Sequence, residues 1–195
     1  MRLEKNRFTE MLIEANGIDA GDFLCWLFHP GMLFASPDKW WGDFGRRDFP
    51  HEGIDFCLYR NASGHRCRLD QQTRIPVIGH GVVRAVFADY LGKAVVVEHR
   101  NALNGHGTVV AIYAHTRPRN DMQPGVTVKD GDILGTIADT SRSRAGIHPH
   151  LHLTLGQPSP DLAYERFTWN TMRDPGLVAL LDPLGTIAWP WQVGA

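Results

Sequence analysis

The sequence predicts a mainly β protein with one helix near each end, and three observations support that class. Short apolar segments bounded by Gly, Pro, Asn or Asp recur through the middle of the chain, as strands joined by turns do. Residues 150–155, His-Leu-His-Leu-Thr-Leu, alternate polar and apolar with the period of two that a strand requires. Helical spacing of apolar residues is confined to the terminal regions.

Taken in order, Leu3, Phe8, Met11, Leu12 and Ala15 predict an amphipathic helix over 2–16, with Gly17 as its stop. Residues 23–35 are apolar and broken by the turn His29-Pro30-Gly31. The glycine-punctuated stretch from Trp40 to Arg47 reads as a loop leading into His51. Strands are expected near 53–60, 75–78, 81–88, 93–99, 107–114, 133–138 and 149–156. The polar residues 60–74 read as a loop. Asp174 reads as an N-cap before Pro175, so Leu177, Val178, Leu180 and Leu181 predict a short helix stopped by Pro183. At 195 residues the chain fits one domain with a sizeable core. We divide it into a lead-in (1–35), a core (36–156) and an extension packing on that core (157–195).

Composition excludes several classes. A formal net charge of −1 gives no electrostatic case for nucleic acid or an anionic membrane. No apolar run approaches the roughly 20 residues that span a bilayer. The start, Met1 to Arg7, lacks the apolar stretch of a secretory signal, so the chain is either intracellular or has had an export signal removed. Cys25, Cys57 and Cys67 are too few and scattered for a disulfide scaffold. Cys57 and Cys67 are candidates to pair in an oxidising compartment, which sequence leaves open. None has CxxC spacing, so none is assigned to a metal.

Two segments carry chemistry. In His148-Pro149-His150-Leu151-His152-Leu153 the histidines are two apart, and i, i+2 side chains on a strand share a face. In Pro50-His51-Glu52-Gly53-Ile54-Asp55 a histidine and an aspartate lie four apart, a spacing that brings both to one side of a strand or a helix. Two imidazoles and a carboxylate meeting at one point form a zinc site whose fourth tetrahedral position is free for water, the arrangement of hydrolytic sites.

A third segment, Val109 to His115, reads as a buried strand ending in a histidine. With His51-x-x-x-Asp55 before it and His150-Leu151-His152 after it, the chain resembles the lysostaphin-like (LytM-type) zinc metallopeptidases. Ile75-Pro76-Val77 followed by His80-Gly81-Val82-Val83, and the turn Gly131-Asp132-Ile133-Leu134-Gly135, resemble further motifs of that family in the same order. The resemblance covers about residues 50–156. It implies an antiparallel, lysostaphin-like β architecture with a groove across one sheet. It also implies one Zn(2+) per chain held by His51, Asp55 and His152, with His150 and His115 as the two non-ligand histidines of the active site. His148 is placed at the rim, because only the His150/His152 frame continues as an apolar strand. The implied activity is a zinc endopeptidase acting on the peptide part of bacterial cell wall, in the cell envelope. No His-Glu-x-x-His helix is present, so a histidine must supply the acid–base function.

Two other classes stand beside it. One is a non-catalytic relative that binds peptidoglycan or regulates other wall hydrolases, and a metal assay separates it. The other is a lipoyl-type carrier, suggested by Val128 to Gly135, but no lysine sits on a hairpin tip in the context a carrier needs. Plainer roles are expected elsewhere: His80 and His106 exposed in turns, His99 away from the site, Trp40 and Trp41 closing a core edge, Arg46 and Arg47 a solvated surface pair.

Overall fold

The unbroken apolar run Val109–Ala114 occupies the middle of the fold and is buried along its whole length. A strand that hides both faces loses the usual alternation and reads as continuously apolar. In the computed structural model of the protein, residues 7–18, 22–103 and 106–194 are described. They form α1 (Phe8–Ala15), β1 (Phe23–Phe28), β2 (Ile54–Phe56), β3 (Leu58–Asn61), β4 (Arg66–Arg68), β5 (Arg74–Pro76) and β6 (Gly81–Ala88). There follow β7 (Lys93–Leu103), β8 (His106–Pro118), β9 (Thr127–Val128), β10 (Ile133–Ile137), β11 (Leu151–Pro158), α2 (Trp169–Arg173), β12 (Val178–Leu181) and β13 (Trp191–Val193).

The fold is mainly β and almost wholly antiparallel. The large sheet runs β12-β11-β8-β7-β6-β9, with β2 added on β11 and β10 joining β5 to β8. A smaller sheet runs β13-β1-β3-β4, and its β1–β13 pair is the one parallel pairing among the described strands. Alternate residues of β8 feed two cores. Val109, Ala111 and Tyr113 pack with Phe8 of α1, Trp26, Phe28 and Phe56. Val110, Ile112 and Ala114 pack on the opposite face with Leu162, Phe167, Met172 and Val178, which come from the C-terminal extension.

Three expectations are corrected. The strand expected over 53–60 divides at Cys57, its first half joining β11 and its second joining β1 in the other sheet. The stretch 60–74 is not all loop: β3 and β4 form a hairpin with Tyr59 opposite Cys67 and Arg60 opposite Arg66, and turns occupy 62–65 and 69–73. Arginines on an edge hairpin hide the apolar alternation by which strands are recognised. The C-terminal helix lies upstream of its expected place. Thr168 caps α2 by accepting from the Thr171 N–H, and Asp174 ends it. Residues 178–181 instead pair with β11, Leu181 opposite Leu155 and Val178 opposite Pro158. Four apolar residues fit either period, and the available edge of β11 decides. The expected helix over 2–16 is described over Phe8–Ala15 with Arg7 as its N-cap, and residues 2–6 lie outside the described ones.

Candidate metal centre and active site

The pairing of β2 with β11 sets Asp55 directly opposite His152. That approach requires Gly53, because a Cβ there would collide with the Leu153 carbonyl oxygen. His51 precedes β2 on a segment tied down by its own backbone, His51 N–H to the Ser36 carbonyl at 2.9 Å and Ala35 N–H to the His51 carbonyl at 2.8 Å. The three side chains meet in a buried cluster. His51 Nε2 lies 3.0 Å from His152 Nδ1 and 3.2 Å from Asp55 Oδ1, and His152 Nδ1 lies 2.9 Å from Asp55 Oδ1.

Outer contacts decide which atoms face inward. His51 Nδ1–H donates to the Leu33 carbonyl at 3.0 Å, leaving Nε2 as a bare lone pair. Thr154 Oγ1 sits 2.8 Å from His152 Nε2, which turns Nδ1 toward the cluster. Trp40 Nε1–H donates to Asp55 Oδ2 at 2.6 Å, so Oδ1 is the oxygen left for the centre. Burial pushes the Asp55 carboxyl up, but the imidazoles of His51, His150 and His152 outweigh it and hold the group well below the usual carboxylate range. Electron-rich atoms of two imidazoles and a carboxylate, all within 4.8 Å of one another, suit a cation. The donor set fits zinc.

Two further imidazoles border the cluster. His150 packs edge-on against Trp40 and donates from Nδ1 to the His148 carbonyl at 2.8 Å, which leaves its Nε2 3.8 Å from Asp55 Oδ1. Burial pushes the His150 imidazole down to about 3, so it is neutral near pH 7. His115 meets His150 with ring centroids 4.8 Å apart. It does not end its strand: β8 continues to Pro118 through a bulge. Val95 pairs with Tyr113 while Lys93 pairs with Thr116, one extra residue on β8, and His115 adopts a positive φ of 60°. Regular alternation would put His115 on the same face as Tyr113, in the first core. The bulge turns it instead to the side of His150, the re-aiming that bulges perform.

The cluster opens into a cleft of about 260 Å³, also lined by Trp41, Arg47, Tyr90, Trp169 and Arg173. Several of these correct the sequence reading. Arg46 is exposed, but Arg47 is folded inward, donating to the Asp38 and Gly31 carbonyls with its guanidinium 4.5 Å from the Trp41 ring. Trp40 is buried, as a core-edge residue would be, yet it also holds Asp55, whereas Trp41 faces the cleft. Trp169 and Arg173 come from α2, Arg173 ion-paired to Glu52. His99 is buried away from the cleft with Nδ1 2.9 Å from the His80 carbonyl, while His80 and His148 are exposed. The side chain of His106 lies outside those described. All three cysteines are free thiols.

Sequence reasoning passed over Thr154, Trp169, Arg173 and Asp89. Thr154 was legible, since it is i+2 from His152 on the same face. Asp89 had no local signal, its partner being His115, 26 residues away.

The sequence model of peptidase family M23 matches residues 50–161, more than half of the chain. Among solved structures, the chain is similar to Csd3 of Helicobacter pylori at 22% identity, covering 85% of this chain and 35% of that one, with a TM-score of 0.45. The catalytic domain of the antimicrobial peptidase lysostaphin from Staphylococcus simulans aligns at 20% identity over 79% of this chain and 87% of that one, TM-score 0.46. A variant of the catalytic domain of the prophage-encoded M23 protein EnpA from Enterococcus faecalis aligns at 21% identity over 74% and 97%, TM-score 0.41. The chain thus spans about a third of the Csd3 chain, and 46% of the lysostaphin chain in its solution structure. No curated protein matches the sequence.

Proposed function

Because the chain belongs to peptidase family M23, we propose that it is a zinc-dependent endopeptidase hydrolysing peptide cross-links of bacterial peptidoglycan in the cell envelope. The observation that carries this reading is the convergence of His51 Nε2, Asp55 Oδ1 and His152 Nδ1 beside two further imidazoles in an open cleft. Those three atoms would hold the metal, which supplies acidification of a bound water and polarisation of the scissile carbonyl.

The chain's own residues do the rest. Trp40, Leu33 and Thr154 hold the three metal-facing groups in orientation. His150 and His115 divide the proton and charge work: one accepts the proton of the attacking water, and the other donates a hydrogen bond to the oxyanion that develops on the carbonyl. His150 turns Nε2 toward the cluster, because its Nδ1 is bonded to the His148 carbonyl. Trp41, Tyr90 and Trp169, together with Arg47 and Arg173, line the cleft beside these groups. No helix among the described residues is long and apolar enough to cross a membrane.

The test is elemental analysis of the purified protein together with digestion of whole peptidoglycan, followed by mass spectrometry of the products. One zinc per chain and newly freed peptide amines are expected. Stoichiometric zinc without peptide-bond cleavage would move the chain to the binding or regulatory reading. Release of disaccharides with every peptide bond intact would show that the substrate chemistry is misassigned.

A further inference from the structure

His115 reaches the cleft only through a backbone distortion, and one side chain from another turn holds that distortion. Asp89 lies in the turn between β6 and β7 with its side chain fully buried. Its Oδ1 accepts from the Leu91 and Gly92 N–H groups at 2.8 and 2.6 Å, which builds the turn itself. Its Oδ2 is spent elsewhere, accepting from the His115 backbone N–H at 2.6 Å and lying 3.3 Å from His115 Nδ1. The turn sits tightly on β8: a Cβ on Gly92 would press on the Thr116 carbonyl oxygen and the Ala138 Cβ. The bulge is therefore gripped from outside its own strand.

We propose that Asp89 is a positioning residue that locks the bulge at His115 and fixes the ring with Nδ1–H toward the carboxylate, leaving Nε2 toward the reacting groups. This rests on the assignment of His115 to the active site. Two observations converge on it. A positive φ strains a non-glycine residue and persists only where surrounding structure over-determines it. The Nδ1 of His115 is buried, and Asp89 Oδ2, 3.3 Å away, is the polar atom set against it. His150, by contrast, is oriented by a backbone carbonyl two residues away and needs no remote partner.

Asp89→Asn tests the idea, because the amide keeps the Oδ1 contacts that build the turn and replaces Oδ2 with a donor facing two donors. This variant should keep one zinc per chain and KM within about twofold, while kcat falls by roughly 10²-fold. In an His115→Ala background the same substitution should cost nothing further. A wild-type kcat in Asp89→Asn beside an inactive His115→Ala would overturn the role of Asp89. An active His115→Ala would instead overturn the assignment of His115 on which it rests. Long-range ¹H–¹⁵N imidazole spectra of the unmodified protein give a readout independent of the variants' folding and of turnover. His115 is expected as the Nδ1–H tautomer, and an Nε2–H tautomer with a bare Nδ1 would sink the proposal.

Discussion

The indole of Trp40 donates to Asp55 Oδ2 at 2.6 Å, and this single bond decides which carboxylate oxygen faces His51 and His152. Partners that orient a metal-facing group typically contribute 10–100-fold to metal affinity. Trp40→Phe keeps an aromatic ring beside His150 and removes the donor together with part of the indole's volume. It should weaken zinc binding by about 10–100-fold, measured by competition with a chromophoric chelator, with the fold unchanged by circular dichroism.

Removal of any one of His51, Asp55 or His152 leaves two donors where a hydrolytic zinc site uses three. Alanine at each position should abolish both stoichiometric zinc and activity, as read by elemental analysis. His99→Ala should leave zinc content untouched, since His99 is buried elsewhere and bonded to His80. Chelation of the wild-type protein should lower its melting temperature. Readdition of zinc at 100 times its dissociation constant should restore about 2.7 kcal/mol.

His150→Ala and His115→Ala remove imidazoles that border the cluster without belonging to it. Each variant should keep its zinc and lose about 10²–10⁴ in turnover if its imidazole moves the proton, or 10²–10³ if it stabilises the oxyanion. Loss of zinc from either variant would place that histidine in the coordination shell instead.

Gly53 lets β2 lie against the Leu153 carbonyl, so Gly53→Ala must push the two strands apart. Overpacking of this kind costs about 1–3 kcal/mol. Because Asp55 and His152 sit on those strands, the variant should also lose zinc affinity, which separates it from substitutions that merely destabilise. Urea unfolding and chelator competition on the same preparation check both.

Burial raises the Asp89 carboxyl, but the His115 ring and backbone N–H outweigh it and hold the group down at about 2, against an ordinary 3.8. A carboxyl lower in the folded than in the unfolded chain stabilises the fold above its ordinary value. That stabilisation fades as pH falls from about 3.8 through about 2. It amounts to roughly 2 kcal/mol. The difference in unfolding free energy between metal-free wild type and metal-free Asp89→Asn should shrink as pH falls below 4.

What the sequence determined by itself was local and periodic. The alternation His150-Leu151-His152-Leu153-Thr154-Leu155 can satisfy only a strand with one polar and one apolar face, and the structure buries those leucines in the first core. The apolar run Val109–Ala114 likewise announced a strand covered on both sides. The β class and the spacings of the two histidine motifs followed from the same arithmetic. Tertiary structure decided everything that depends on two distant segments meeting. Residues 178–181 carry a pattern too short to choose between helix and strand, and the edge of β11 chose. Trp40 and Arg47 look like loop residues until their loop folds over Asp55. His115 is the sharpest case: its period-two parity points into the core, and one extra residue, braced by Asp89 from another turn, carries it to the other face. Periodicity reports the face a residue takes on an unbroken strand, whereas a bulge is set by hydrogen bonds to partners that no local window contains.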